Sequence, residues 1–235
     1  MKFSVIIPAY NEAAHIAQAV KALAAQTIRR SDFEIIVVDN NSTDDSAAIA
    51  RQAGADLVTA EKKQGTNMAR QKGLDSAQGE IVAFLDGDSI PPNNWLKIIE
   101  TSLADKKVAA VSGPYDFGFT GFRKIGVWIY NNLICPFSPR LLSFIFRRRA
   151  GIIFGGNFAA RKTALQAIGG LPQLPFWGDD AAIAMLISRR VGKVLFNPRL
   201  IIKSSPRRLE KSGFWKVTGK YLLAYLKIYF DKKYF

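Results

Sequence analysis

Residues 81–89 read Ile81-Val82-Ala83-Phe84-Leu85-Asp86-Gly87-Asp88-Ser89, and the rest of the chain is arranged around them. Five apolar residues in succession, opening on a β-branched pair, are the pattern of a strand buried on both faces. The run stops at two carboxylates with one glycine between them. Gly87 lets the backbone bend so that both acids turn toward one point beyond the strand's carboxyl end. In open α/β sheets ligands sit in that crevice. Two acids there make a hard-oxygen site of the Mg²⁺ or Mn²⁺ kind, which a diphosphate would complete. Taken alone, the same residues also fit a solvated Asp-Gly turn.

Working outward, residues 3–8 predict a first strand, followed by the turn Ala9-Tyr10-Asn11-Glu12. Asn11 is placed to cap a helix running to about Gln26, with Ile16, Val20 and Leu23 along one stripe. Residues 34–39 predict a second strand ending in Asp39. The polar loop 40–45 supplies caps for a helix through Gln52. A short strand over 56–60 and a helix over 65–77 lead into the central strand. After Pro91-Pro92 come a helix through Trp95, Ile99 and Leu103 and a strand over 108–111. Strands alternating with helices at this spacing predict a mostly parallel sheet covered on both faces.

Beyond Gly113 the texture changes. Residues 121–149 are aromatic and basic together, with Trp128, Tyr130, Phe137, Phe144 and Phe146 leading to Arg147-Arg148-Arg149. A strand is expected over 152–158 and a helix over 161–168. Trp177-Gly178-Asp179-Asp180 opens another helix, through Arg190. Short strands are expected over 193–196 and 200–203, and a helix over 210–230.

The chain has 235 residues, one cysteine and one histidine. Internal disulfides and cysteine- or histidine-rich metal sites are thereby excluded, which leaves oxygen ligands. Net charge is +14 and unevenly spread: residues 1–100 carry −3 and residues 101–235 carry +17. Such asymmetry points the second half at a polyanion or an anionic surface. Met1-Lys2-Phe3 begins a short strand rather than a signal peptide, and no apolar run reaches the ~18 residues of a bilayer span. The expected location is the cytoplasmic face of a membrane, peripherally held.

Asp39 ends its strand as Asp86 and Asp88 end theirs, so a parallel sheet would open all three into one crevice. An acid so placed can accept from a base N–H or a ribose hydroxyl. Neither G-x-G-x-x-G nor G-x-x-x-x-G-K-[ST] occurs, so a nucleotide diphosphate would find no glycine-rich cradle. Carboxylates ~4 Å from a phosphate repel it by ~4 kcal/mol per charge pair at an effective dielectric of ~20. A divalent ion between them reverses that sign. Asp179-Asp180 reads in two ways: acids favoured by a helix N-terminus, or a general base that takes the proton of an acceptor hydroxyl. Trp177 beside them offers either a stacking face for a sugar or lipid headgroup or a piece of core.

The segments Val5-Ile6-Ile7-Pro8-Ala9-Tyr10-Asn11-Glu12, Ile36-Val37-Val38-Asp39-Asn40-Asn41-Ser42-Thr43-Asp44, Phe84-Leu85-Asp86-Gly87-Asp88, Gly155-Gly156-Asn157 and Gly178-Asp179-Asp180 occur in that order. Together, over about residues 1–200, they resemble the family 2 glycosyltransferases of the GT-A fold. The resemblance implies a Rossmann-like three-layer α/β sandwich and an inverting transfer from a nucleotide-diphospho-sugar with Mg²⁺ or Mn²⁺. Pro8, Tyr10, Glu12 and Asp39 would line the nucleotide pocket. Asp86 would sit near ribose and metal, Asp88 would ligate the metal, and Asp180 would be the base. Gly156 and Asn157 would lie by the donor sugar or acceptor. Expected domains are a catalytic unit over 1–205, with a nucleotide half (1–112) and an acceptor half (113–205) that carries a membrane-facing insert over 121–149, and a basic amphipathic helix over 206–235.

Two departures stand out. The family usually writes Glu-Asp where this chain has Asp179-Asp180, and the Q-x-x-R-W motif of processive synthases is missing. In its place stands Ser204-Ser205-Pro206-Arg207-Arg208, whose Arg207 and Arg208 either clamp a departing diphosphate or form a solvated basic turn. Transfer of one sugar is therefore expected rather than polymerisation. UDP is favoured as the nucleotide because an acid can pair with the uracil N3–H. Lys216, Lys220 and Lys227 fall within ~40° on a helical wheel of ~3.6 residues per turn. Trp215 and Tyr225 occupy its other faces, so the helix suits an anionic membrane interface; packing on the domain is the other reading. The expected acceptor is a glycan or lipid-linked sugar at that surface, and no nucleic-acid motif appears. Rival readings are a sugar nucleotidyltransferase and a basic nucleic-acid- or membrane-binding protein on an inactive transferase fold.

Overall fold

In a computed structural model, residues 1–174, 178–207, 210, 214–231 and 233 are described, with the side chains of 214–218 left aside. The elements follow the expected alternation: β1 (Phe3–Ala9), α1 (Ile16–Ala24), β2 (Phe33–Asp39), α2 (Ser46–Gln52), β3 (Leu57–Ala60), α3 (Thr66–Ser76) and β4 (Ile81–Leu85). Then come β5 (Ser89–Ile90), α4 (Trp95–Ser102), β6 (Val108–Ser112), β7 (Tyr115–Asp116), α5 (Gly121–Ile129), a π turn (Tyr130–Ile134) and α6 (Cys135–Phe146). The chain continues through β8 (Asn157–Arg161), α7 (Lys162–Ala167), α8 (Asp179–Arg190), β9 (Lys193–Phe196), β10 (Ile202–Ser204) and α9 (Phe214–Phe230).

Seven strands form one sheet in the order β3-β2-β1-β4-β8-β6-β9. Neighbours are parallel except at β8, which runs antiparallel to both β4 and β6. Alternate side chains of the apolar strands feed two cores, as burial on both faces requires. Ile6, Ile36 and Phe84 go to one side with α3, α7, α8 and Tyr229 of α9. Val5, Ile35, Val37 and Leu85 go to the other with α1 and Trp95 of α4.

Two local expectations are corrected, and a third, left with two readings, gains a packing contact. Asn11 caps no helix: it takes a left-handed φ of 54°, and its side chain accepts from the Thr43 backbone N–H at 2.8 Å. The first helix accordingly starts later, at Ile16. The strand expected over 152–158 begins only at Asn157, because Gly155 and Gly156 form a turn before it. The helix at the C-terminus packs on the domain through Ala224, Ile228 and Tyr229. There the Tyr229 hydroxyl donates to the Leu142 carbonyl at 3.1 Å, and Arg189 lies over the Tyr229 ring at 5.2 Å.

A second, three-stranded sheet in the order β5-β10-β7 positions the site. Ser204 of β10 pairs with Ser89, which directly follows Asp88. Tyr115 of β7 pairs with Ile202 on the other side. Three segments distant in sequence therefore reach the end of β4 together.

Candidate active site

Beyond the carboxyl ends of β1 and β4, four carboxylates surround two arginines. Arg70 of α3, with a side chain only 7% exposed, lies 3.0 Å from Asp86 and 3.7 Å from Asp180. Its guanidinium also donates to Asn67 at 3.2 Å. Burial alone would lower the Arg70 pKa, but the charges of Asp86 and Asp180 outweigh it and hold the cation firmly. The other Asp86 oxygen accepts from the Tyr115 hydroxyl at 3.2 Å. That hydroxyl in turn accepts from the Gly156 N–H at 2.9 Å. Burial, with Asp86 and Asp180 nearby, pushes the Tyr115 phenol well above its ordinary range, so it remains a neutral donor.

Gly155 and Gly156 make this convergence possible by having no side chain. A Cβ at Gly156 would lie 1.8 Å from Asp86 Oδ2, and one at Gly155 would lie 2.4 Å from Asp180 Oδ1. Without that bulk, the Gly155 N–H donates to Asp180 Oδ2 at 2.9 Å. Gly87 has no left-handed φ. Its lack of a side chain matters for a different reason: a Cβ would press on Glu12 Cγ at 3.1 Å.

The second arginine, Arg207, lies just beyond β10. It pairs with Glu12 and stands 3.1 Å from Asp88. Burial raises the Asp88 pKa, with Asp86 adding to it and Arg207 opposing. Glu12 is raised likewise by burial against the pull of Arg207. Among the described residues, a buried oxygen of Glu12 has no partner, nor has one of Asp39. Among the described residues no three His, Cys, Asp or Glu side chains are grouped to hold a metal. Two carboxylates with a cation already drawn to them fit Mg²⁺ or Mn²⁺ that takes its remaining ligands from water and phosphate.

Register places Ala9 beside Asp39, so Pro8, Tyr10 and Asp39 share the sheet's carboxyl edge, with Tyr10 exposed. The loop beside them is braced by Asn40, whose amide donates to the Glu61 and Lys63 carbonyls at 2.8 Å and accepts from the Gly65 N–H at 2.7 Å. Asp179 and Asp180 differ in setting. Asp180 faces Arg70 and the glycine turn, whereas burial and the charge of Asp180 push the Asp179 carboxyl up to about 6. Among the described residues, one buried Asp179 oxygen has no partner. Trp177, Arg208 and the side chains of Trp215 and Lys216 lie outside the described residues.

Asn157 departs from the role expected of it. Fully buried, its side chain accepts from Trp95 Nε1 at 3.0 Å and donates to the Pro114 and Leu200 carbonyls at 2.9 and 2.7 Å. With its polar atoms so engaged it ties β8 to its neighbours, and it has nothing to offer a sugar. Arg70 and Tyr115 are the residues the sequence reading missed. Arg70 carried a signal: with Asn67 and Leu74 it forms the buried stripe of α3, and a charge on such a stripe requires a partner.

An open, mostly parallel sheet with an acidic pocket at its carboxyl edge places the candidate site where open α/β sheets take their ligands. The family model described as glycosyl transferase family 2 matches residues 4–169, and the chain belongs to that family. It is 37% identical over 121 residues to the glycosyltransferase AglE of Haloferax volcanii, covering 49% of this chain and 40% of that protein. The chain spans well under half the length of the curated relatives it matches. Among solved structures, the mannosyltransferase PcManGT from Pyrobaculum calidifontis, in complex with GDP-Man and Mn²⁺, superimposes with a TM-score of 0.70 at 23% identity. That match covers 97% of this chain and 70% of the other. Glucosyl-3-phosphoglycerate synthase of Mycobacterium tuberculosis, in complex with Mn²⁺, UDP-glucose and phosphoglyceric acid, gives 0.68 at 22% identity, covering 97% and 79%. At these identities the likeness speaks for the GT-A fold alone.

Proposed function

We propose that this glycosyltransferase moves one sugar, with inversion, from a nucleotide-diphospho-sugar to an acceptor hydroxyl on a lipid-linked or membrane-proximal glycan. The observation that carries the reading is the meeting of Glu12, Asp86, Asp88 and Asp180 around Arg70 and Arg207. Pro8, Tyr10 and Asp39 would receive the nucleoside, and UDP remains the favoured nucleotide because a carboxylate suits the uracil N3–H. Asp88, with Asp86, would hold Mg²⁺ or Mn²⁺, which when bound neutralises the diphosphate and helps it leave.

Asp180 takes the acceptor hydroxyl's proton as that oxygen attacks the anomeric carbon. The diphosphate departs from the opposite face through an oxocarbenium-like transition state, so a single displacement inverts the centre. Arg207 stabilises the negative charge that grows on the leaving group. Arg70 is a positioning residue that holds the Asp86 and Asp180 carboxylates in place.

The test is a donor-hydrolysis screen over UDP- and GDP-sugars with Mn²⁺, Mg²⁺ or chelator, reading released nucleoside diphosphate. Asp88→Asn and Asp180→Asn should each abolish turnover. Near-wild-type turnover by Asp180→Asn would remove the base assignment. Pyrophosphate release from a nucleoside triphosphate would instead indicate nucleotidyl transfer.

A further inference from the structure

The helical segment α5–π–α6 inverts the usual amphipathic arrangement. Its buried positions are Asn131, Cys135 and Pro139, a narrow stripe of small or polar residues. Leu133, Phe137 and Leu141 each stand two residues further on, about 200° round at ~100° per residue, and all three are exposed. Phe122 is 93% exposed and Phe144 83%. Of the 21 large hydrophobics exposed among the described residues, eleven lie between Phe122 and Phe146. A clustered apolar surface of this kind marks an interaction face.

Charge identifies what it meets. From Phe117 to Gly178 the sequence contains no Asp or Glu, while residues 121–149 contain six Lys and Arg. Arg123, Lys124, Arg140, Arg147 and Arg149 are exposed. A second copy of the chain would set like charges against each other, whereas an anionic bilayer complements them. Among the described residues no helix is long and apolar enough to cross a membrane, so the segment would lie along it. We infer that α5–π–α6 is an interfacial docking surface for a bilayer containing anionic lipid.

This surface is anchored next to the candidate active site. Asn131 donates to the Tyr115 carbonyl at 3.3 Å, and the Tyr115 hydroxyl holds Asp86. Tyr130 stacks on Phe154, beside the Gly155-Gly156 turn. Docking would therefore bring the carboxylate pocket to the headgroup layer, where a lipid-linked acceptor hydroxyl is found; this last step rests on the transfer reading above.

Co-sedimentation with large vesicles of phosphatidylcholine, alone or mixed with phosphatidylglycerol, tests it. The wild-type chain should pellet with the mixed vesicles at low salt and be released at high salt. The triple variant Arg123→Glu, Lys124→Glu, Arg140→Glu should bind at least about a hundredfold more weakly, since each basic residue near the surface contributes about fivefold. Phe122→Ser with Phe144→Ser should weaken binding about tenfold while leaving the melting temperature unchanged. Lys21→Glu with Lys106→Glu, elsewhere on the surface, should bind as wild type does. Asp88→Asn should also bind normally, which separates failure of docking from failure of sugar transfer. No pelleting of wild type with anionic vesicles would overturn the inference. So would a dimer in solution that Phe122→Ser with Phe144→Ser dissolves.

Discussion

Replacing Arg70 with methionine should cost the protein about 3 kcal/mol. The guanidinium is 7% exposed and stands between Asp86 and Asp180 at 3.0 and 3.7 Å. Breaking a buried ion pair by removing one partner costs about 3–5 kcal/mol, because the other charge is left uncompensated. The low end applies here: the Asp86 and Asp180 side chains are 34% and 24% exposed and can recruit water once the cation is gone. Methionine fills much of the volume, so the loss should be electrostatic rather than a cavity effect. Urea unfolding of Arg70→Met, Asp86→Asn and the double variant separates the two. If Arg70 acts by neutralising Asp86, the double variant should be more stable than the sum of the singles by about 1–3 kcal/mol. Additivity within about 0.5 kcal/mol, or a single-variant cost below about 1 kcal/mol, would refute this account of the pocket.

Gly156→Ala should abolish donor turnover, because its methyl would sit 1.8 Å from the Asp86 carboxylate; Gly126→Ala, which meets nothing within 4 Å, should leave turnover intact. Asn157→Ala should lower stability by about 2–4 kcal/mol, as Trp95 Nε1 and two carbonyls lose a buried partner, without changing donor KM. Asp179 has a folded pKa of about 6 against 3.8 for the free side chain. Its contribution to stability is therefore full below pH 3.8 and is lost as pH rises through about 6. Relative to wild type, Asp179→Asn should gain melting temperature as pH rises from about 4 to about 6.5, and an unchanged difference across that window would contradict the assignment.

Much of the fold was legible because its signals are local. Apolar runs ending at Asp39 and Leu85 could only be strands covered on both faces, and the polar loops between them carried their own turn chemistry. The strand at Asn157–Arg161 was misplaced because Ile152-Ile153-Phe154 looked the better strand. What decides the matter is tertiary: the Gly155 and Gly156 peptides must lie against Asp180 and Asp86, so extended chain begins only after them. The same holds for the site. Carboxylates at strand ends announce themselves, and Arg207 stands out in its basic turn, whereas Tyr115 reaches the pocket only through pairing of β7 with β10. Asn157 misled in the opposite direction, since a polar residue beside a glycine pair looks like a ligand contact until its three buried partners are seen.

The antiparallel strand has a consequence for how the molecule is made. Residues 157–161 occupy the slot between β4 and β6, so the edge of β4 stays bare while the first hundred-odd residues emerge from the ribosome. Up to that moment a nascent chain has β1 to β4 and β6 in hand but no continuous sheet, and its unpaired edge is open to misassociation. A fragment ending at Ser112 should accordingly fail to fold alone, however self-contained its motifs look on paper.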